Sequence, residues 1–166
     1  GASGVLPATM LYLQRRDGLS DEQIWRALAT GGIVGNVVKT NASVSGAEAG
    51  CQAEIGTATA MAAAAVCSLA AHSLEITEYA AEIALEHQLG LTCDPVGGYV
   101  QIPCIERNAV AAMRAIDSAD LASVLSGTRK ISFDLVVKTM YETGRDLNER
   151  YRETSEGGLA SGYKVC

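Results

Sequence analysis

The sequence predicts an all-α domain, and three observations support this. Alanine, the strongest helix former, is concentrated in one long stretch around Met61-Ala62-Ala63-Ala64-Ala65-Val66. Hydrophobic residues recur at helical spacing, whereas convincing period-2 strand patterns are absent. The 166 residues, 48% of them hydrophobic, suffice for one core. We therefore expect a single helical domain with irregular cysteine-bearing loops and a flexible C-terminal tail.

Two helices are predicted before residue 40. The first covers residues 6–16, with Pro7 in its first turn, and Gly18 ends it. Ser20 and Gln23 have the spacing of a capping box, so the second helix is predicted to begin at residue 21 and to run into the glycine-containing segment 31–36.

The middle of the chain alternates between loops and helices. Residues 39–50 are small and polar, which indicates a loop, and an alanine-rich helix is predicted over residues 52–72. Thr77 is predicted to cap the next helix, which Gly90 ends. Proline and glycine residues make the segment 91–103 irregular.

The last third is predicted to hold three helices and a tail. The first covers residues 105–116, and Asp117 or Ser118 is predicted to cap a short helix ending at Gly127. Ser132 is predicted to cap the last helix, to about residue 151. We divide the chain into a helical part, residues 1–152, and a flexible tail, residues 153–166.

The composition argues against two kinds of partner. The net charge is −6, and lysine and arginine form no cluster, which argues against nucleic acid binding. The longest apolar candidate for a membrane span, residues 55–71, consists mostly of Ala, Thr and Ser. The N-terminus lacks the basic segment with which a signal peptide begins. We expect a cytoplasmic protein without a membrane partner.

The five cysteines are the main candidates for chemistry. Their odd number and wide spacing make a poor disulfide framework. Cys51, Cys93 and Cys104 are predicted to lie at helix or loop boundaries, where a ligand can point outward. Cys67 lies inside the alanine-rich helix and is interpreted as a core residue, whereas Cys166 is the last residue.

Spacing alone leaves the role of these three cysteines open. Buried structural cysteines are common in helical cores, and spacing slightly favours that interpretation. The paired spacings typical of zinc sites and ferredoxins are missing. Three thiolates would suit a four-iron cluster whose fourth iron is open and acts as a Lewis acid.

Two long cysteine motifs resemble the α region of bacterial iron–sulfur L-serine dehydratases. They are NASVSGAEAGCQ at residues 41–52 and EHQLGLTCDPVGG at residues 86–98, continued by VQIPCIERN at residues 100–108. The closing ETS and GGLA, at 153–155 and 157–160, resemble the end of that family. The opening GASGVLPA resembles the middle of its catalytic domain, so the chain is expected to begin in mid-domain.

The resemblance implies a function and a cofactor. It implies a [4Fe–4S] cluster held by Cys51, Cys93 and Cys104. It also implies elimination of water from L-serine, followed by tautomerisation and loss of ammonia. Expected partners are L-serine, the missing N-terminal part of the same enzyme and further copies in a homo-oligomer. The catalytic base remains unassigned, and the chain alone is expected to be inactive.

Further residues are assigned around this centre. Four side chains close to Cys51 in sequence are candidates to orient the serine carboxylate and amine, although a self-capped turn would use the same residue types: Thr40, Asn41, Ser43 and Ser45. Cys166 is a possible fourth ligand when substrate is absent. The alternatives are a related lyase acting on threonine or cysteine, and a non-catalytic helical metal-binding module.

Overall fold

The computed structural model describes residues 2–125 and 127–163, which form eight α-helices and two short 3-10 helices. In chain order the α-helices are α1 (Val5–Asp17), α2 (Asp21–Asn41), α3 (Gly46–Ala49), α4 (Cys51–Leu69), α5 (Leu74–Glu86), α6 (Cys104–Val124), α7 (Phe133–Asp146) and α8 (Gly158–Gly162). The 3-10 helices are Val96–Gly98 and Glu149–Tyr151. Within these residues, β structure is limited to one isolated bridge between Cys93 and Arg152. The predicted all-α fold class is confirmed.

Helix α4 lies at the centre of the domain. It packs against α1, α2, α5, α6 and α7, and most of its residues are buried. A helix that is apolar on nearly every side requires such surroundings. Its small alanine side chains, including the fully buried Ala60 and Ala64, let the neighbouring helices pack closely around it. In the described part of the chain, no helix has the length and apolar character needed to cross a membrane.

Two predicted helix caps are confirmed. The Ser20 hydroxyl accepts a hydrogen bond from the Gln23 backbone N–H, and the Gln23 side chain accepts one from the Ser20 N–H. These bonds complete the predicted capping box at the start of α2. At the start of α7, the Ser132 hydroxyl accepts from the Leu135 N–H at 3.2 Å.

Other predicted boundaries are wrong. Helix α2 continues to Asn41, so residues 39–41 are helical rather than part of a loop; buried Val38 keeps the helix against the core. Helix α5 is capped by Ser73, and the Thr77 hydroxyl instead donates to the Ser73 carbonyl from within the helix. Tertiary packing extends α2, whereas α5 begins at a different local cap, where the Ser73 hydroxyl accepts from the Ile76 N–H.

Helix α6 is continuous, whereas two helices were predicted over residues 105–127. Small buried residues follow one another at helical spacing through the expected break: Ala111, Ala115, Ser118, Ala119 and Ala122. Because this stripe packs on α4 and α5, the polar residues at 117 and 118 do not interrupt the helix. Helix α4 ends at Leu69 and α7 at Asp146, both earlier than predicted.

Candidate metal centre and adjoining cleft

Three cysteines are gathered by the starts of two helices and one loop. Cys51 is the first residue of α4, Cys104 is the first residue of α6, and Cys93 lies in the connection between α5 and α6. All three are free and buried. The sulfurs of Cys51 and Cys93 and a carboxylate oxygen of Glu54 lie within 4.8 Å of one another. Cys104 is outside this tight group.

Glycine at position 46 makes room beside these sulfurs. A Cβ atom there would lie 2.9 Å from the Cys93 sulfur and 3.0 Å from a Glu54 carboxylate oxygen. Any side chain would therefore press into the space between the potential ligands. Gly46 opens the short helix α3, whose other end leads directly into Cys51.

A buried glutamine braces the first turn of α4. The Gln52 side-chain nitrogen donates to the Ala49 and Met140 carbonyls, at 2.9 and 3.0 Å, and its side-chain oxygen accepts from the Gly90 N–H. These bonds satisfy most of its hydrogen-bonding capacity. They join the start of α4 to α7 and to the turn after α5, which fixes the position of the neighbouring Cys51.

The charge of Arg107 reaches the cysteines from α6. Its Nη1 atom donates to the Thr92 carbonyl at 2.9 Å and to the Asp94 carboxylate at 2.7 Å, and lies 3.9 Å from the Cys51 sulfur. Asp94 is buried, so its charge requires this partner. The arrangement places a cation beside the Cys51 sulfur.

The thiols differ in acidity as a result. A hydrogen bond with Cys93 lowers the pKa of Cys51, and the Arg107 charge acts in the same direction. The same thiol pair and burial raise the pKa of Cys93, while burial is the main cause that raises the pKa of Cys104. Cys51 is therefore the first of the three to form a thiolate. Buried Cys67, whose pKa burial raises to about 11, has the environment predicted for a core residue.

The segment after α7 packs on the Cys93 loop. The Cys93 N–H donates to the Tyr151 carbonyl, and the Glu153 N–H donates to the Cys93 carbonyl, each at 2.8 Å. The Leu159 N–H donates to the second Asp94 oxygen at 2.7 Å. Residues predicted as a flexible tail thus contact the cysteine loop directly, and their mobility stays a prediction.

A cleft of about 730 Å³ opens between α1, α2 and α4 and ends at the cysteine site. Glu54 belongs both to the lining of the cleft and to the group of ligand atoms. The lining residues are Ala2, Ser3, Leu6, Pro7, Gly32, Gly35, Asn36, Lys39, Val44, Ser45, Gly46, Glu54, Thr57, Ala58, Met61 and Glu153. Apolar and charged groups therefore line one continuous space.

Of the four residues predicted to bind substrate, only Ser45 lines this cleft. Ser43 is buried, donates to the Glu48 carboxylate at 2.6 Å and accepts from the Ser45 N–H. Thr40 and Asn41 are exposed on α2 outside the lining. Cys166, the predicted resting ligand, lies outside the described residues.

Four charged side chains at the site were not among the residues predicted to bind metal or substrate. Glu54 follows Cys51 by three positions, and this helical spacing could have indicated a shared face. Arg107 likewise follows Cys104 by three positions. Lys39 was assigned to a loop, and Glu153 reaches the site from a distant segment. No local pattern signals the last of these.

The fold and the site define a class of protein: an all-helical domain with a cysteine-based candidate metal centre at the end of a charged cleft. The family model described as serine dehydratase alpha chain matches residues 1–160, and the chain belongs to this family.

Its relatives are longer proteins. The chain is 49% identical over 167 residues to an L-serine dehydratase of Streptomyces coelicolor, a match that covers 100% of the chain and 37% of the relative. It is 50% identical over 161 residues to L-serine dehydratase 1 of Escherichia coli, which covers 96% of the chain and 36% of the relative. An L-serine dehydratase of Helicobacter pylori is 51% identical over 166 residues, a match that covers 99% of the chain and 36% of the relative. The chain thus spans little more than a third of these relatives' length.

Proposed function

We propose that this chain is the cysteine-bearing part of an L-serine dehydratase, which converts L-serine to pyruvate and ammonia. One observation carries the proposal: buried free cysteines lie at the end of a cleft, and Glu54 belongs to both. The names of the relatives supply the substrate. The geometry supplies a place where a small polar molecule meets potential metal ligands.

The residues present fit an iron–sulfur cluster. Clusters of this type are held by cysteine thiolates, and Cys51, Cys93 and Cys104 would be the ligands. The lowered pKa of Cys51 and the nearby Arg107 favour thiolate, and Gly46 leaves space beside Cys93. When bound, a [4Fe–4S] cluster with one iron free of cysteine supplies a Lewis acid that stabilises the charge of a leaving hydroxyl group.

Protein side chains would also take part in the reaction, by transferring protons and by lining the cleft. Serine loses its α-proton and its hydroxyl group as water, and the resulting enamine tautomerises to an imine that water hydrolyses to pyruvate and ammonia. Glu54 borders both the cleft and the sulfurs, so it is well placed to take up or return a proton at that end. Leu6, Pro7 and Met61 give the cleft an apolar side.

Replacement of single cysteines tests the proposal in the complete enzyme, purified without oxygen. Cys51→Ala, Cys93→Ala and Cys104→Ala should each lose iron, sulfide and the visible absorption of the cluster, together with pyruvate formation from L-serine. Cys67→Ala is the matched control: it should keep cluster and turnover while losing stability, because the thiol is buried in the core. Full activity of Cys93→Ala would overturn the cluster assignment.

The substrate is tested separately from the cofactor. L-serine, L-threonine and L-cysteine should be compared with the complete wild-type enzyme, and kcat/KM should be highest for L-serine. A clear preference for L-threonine or L-cysteine would support the lyase reaction but show that L-serine is not the main substrate. Cluster assembly without turnover of any of them would instead favour a non-catalytic metal-binding module.

A further inference from the structure

Two helices that pack against each other each contribute one face to the lining of the cleft, with the same spacing. Helix α2 contributes Gly32, Gly35, Asn36 and Lys39, and helix α4 contributes Glu54, Thr57, Ala58 and Met61. Each set follows the i, i+3, i+4, i+7 pattern of one helix face. The charged members, Lys39 and Glu54, come from different helices, so a ligand in the cleft meets groups of opposite charge.

Lys39 is the single cationic residue among those lining the cleft. Its side chain is exposed and forms no ion pair with the described residues, whereas several other cations of the domain are paired with carboxylates. An ammonium group on a flexible stem can follow a small anion without distorting the helix. Lys39 is therefore available to a ligand that carries a carboxylate.

Glu153 enters the cleft from the segment after α7. Its backbone has a φ of 67°, in the left-handed region that residues with side chains seldom adopt, and its N–H donates to the Cys93 carbonyl. This conformation brings a half-buried carboxylate to the cysteine end of the cleft. A carboxylate there is complementary to a ligand ammonium group.

A buried hydroxyl independently indicates that a polar ligand belongs in the cleft. Thr57 is 3% exposed, lines the cleft, and its Oγ1 atom has no hydrogen-bond partner in the described residues. An unsatisfied buried hydroxyl is destabilising, and native proteins rarely retain one. A polar group of a bound molecule would provide the missing partner.

We propose that the cleft recognises the two charged groups of an α-amino acid separately, with Lys39 binding the α-carboxylate and Glu153 binding the α-ammonium group. The inference rests on the proposed function and deepens it, because it assigns the recognition of the substrate class to two residues. Both are binding residues that orient the amino acid towards Glu54 and the cysteines. Molecules with only one of the two charges should bind through only one of these side chains.

A crossed binding experiment tests this assignment in the complete, cluster-containing enzyme. The variants are Lys39→Gln and Glu153→Gln, and the probes are L-serine, 3-hydroxypropanoate, which lacks the amino group, and ethanolamine, which lacks the carboxylate. Binding of 3-hydroxypropanoate and ethanolamine is measured by anaerobic calorimetry, and that of L-serine, which the enzyme would convert, is followed through its KM. Lys138→Gln and Glu142→Gln, at an exposed pair on α7, are the matched controls and should bind all probes as the wild type does.

The expected pattern is reciprocal. Lys39→Gln should weaken the binding of L-serine and 3-hydroxypropanoate about tenfold or more, the usual loss for a charge-assisted hydrogen bond. The affinity for ethanolamine should not change. Glu153→Gln should weaken the binding of L-serine and ethanolamine and leave the affinity for 3-hydroxypropanoate unchanged. The assignment would be overturned if either variant weakened the binding of 3-hydroxypropanoate and ethanolamine equally. It would also be overturned if neither variant weakened the binding of L-serine.

Turnover separates this inference from the proposed function. In the variants, KM for L-serine should rise while kcat changes less, because the lost contacts position the ground state as well as the transition state. A fall in kcat with unchanged KM would contradict a binding role. If the wild-type enzyme binds L-serine but forms no pyruvate, the proposed reaction fails while the assignment of Lys39 and Glu153 is still decided by calorimetry.

Discussion

A single guanidinium nitrogen connects three parts of the candidate metal centre. Arg107 Nη1 contacts the Cys51 sulfur, the Thr92 carbonyl and the Asp94 carboxylate, and Asp94 in turn holds the Leu159 N–H. A positive charge at this position stabilises the Cys51 thiolate and offsets the buried charge of Asp94. The guanidinium is always charged and more weakly hydrated than an ammonium group, so arginine suits this partly buried position better than lysine.

We predict that replacing Arg107 weakens the retention of the cluster. In the complete enzyme, Arg107→Met should hold several-fold less iron and sulfide after anaerobic purification, and Arg107→Lys should be intermediate because it keeps the charge but not the geometry. Arg114→Met is the control, since Arg114 is exposed on the same helix and pairs only with Asp117. Wild-type iron content in Arg107→Met would show that the cysteines hold the cluster without this charge.

Glu82 predicts a pH dependence of stability. It is buried on α5, and burial, assisted by Glu86 and Glu78 and opposed by Arg129, raises its pKa to about 7. His87 and Lys130 line the same small cavity. Because the pKa in the unfolded chain is about 4.3, the folded state binds the proton more tightly, and this contribution to stability is lost as pH rises from about 4.5 to 7.

The variant Glu82→Gln should remove this dependence. Relative to wild type, we expect its free energy of unfolding to change little near pH 4 and to become larger by about 2–3 kcal/mol near pH 8, where the wild type must bury a charge. Urea denaturation of the chain across this pH range measures the difference. A constant difference between the two proteins from pH 4 to pH 8 would contradict the prediction.

Helix α7 approaches the segment before Cys51 closely at one glycine. A Cβ atom on Gly144 would lie 2.7 Å from the Ala49 Cα atom and 3.0 Å from its carbonyl oxygen. Backbone cannot yield as a flexible side chain can, so α7 or α3 would have to move. The position of Ala49 affects the cysteine site, because Gln52 donates to its carbonyl.

We predict that Gly144→Ala destabilises the domain by about 1–3 kcal/mol through overpacking, despite the better helix propensity of alanine. Gly32→Ala is the matched comparison, because Gly32 is also within a helix but has open space where the Cβ would be. It should be neutral or stabilising by up to about 1 kcal/mol. Chemical denaturation of both variants measures the two changes in the free energy of unfolding, which should have opposite signs. Equal changes in the two variants would exclude a steric role of Gly144.

The sequence was informative about several elements that local interactions determine. Ser20 with Gln23, and Ser132, cap helices through contacts within four residues, and such signals are readable in advance. The continuity of α6 depends instead on its alanine stripe packing against α4 and α5. Likewise, the cysteine motifs indicated the centre of the site, whereas Glu153 reaches it through backbone pairing with Cys93, which no local pattern encodes.

At the scale of the whole molecule, the described residues carry both a well-packed core and exposed apolar side chains near the cysteine loop. Tyr99 is 71% exposed, Ile105 65% and Met113 69%, and all three belong to the loop before α6 or to α6 itself. The longer relatives have about two thirds of their length outside the region that this chain matches.

We therefore predict that the isolated chain folds but does not turn over L-serine at the rate of the complete enzyme. The helical core packs around α4 within the chain, so a helical circular dichroism spectrum and a cooperative unfolding transition are expected. The cleft, however, is open, and water at the reacting groups weakens the electrostatic contribution to catalysis. The experiment compares pyruvate formation per cluster for the isolated chain, reconstituted without oxygen, and for the complete enzyme. Equal rates would show that these helices contain the entire catalytic apparatus, whereas restoration of activity on adding the remaining part of the protein would support a site completed by that part.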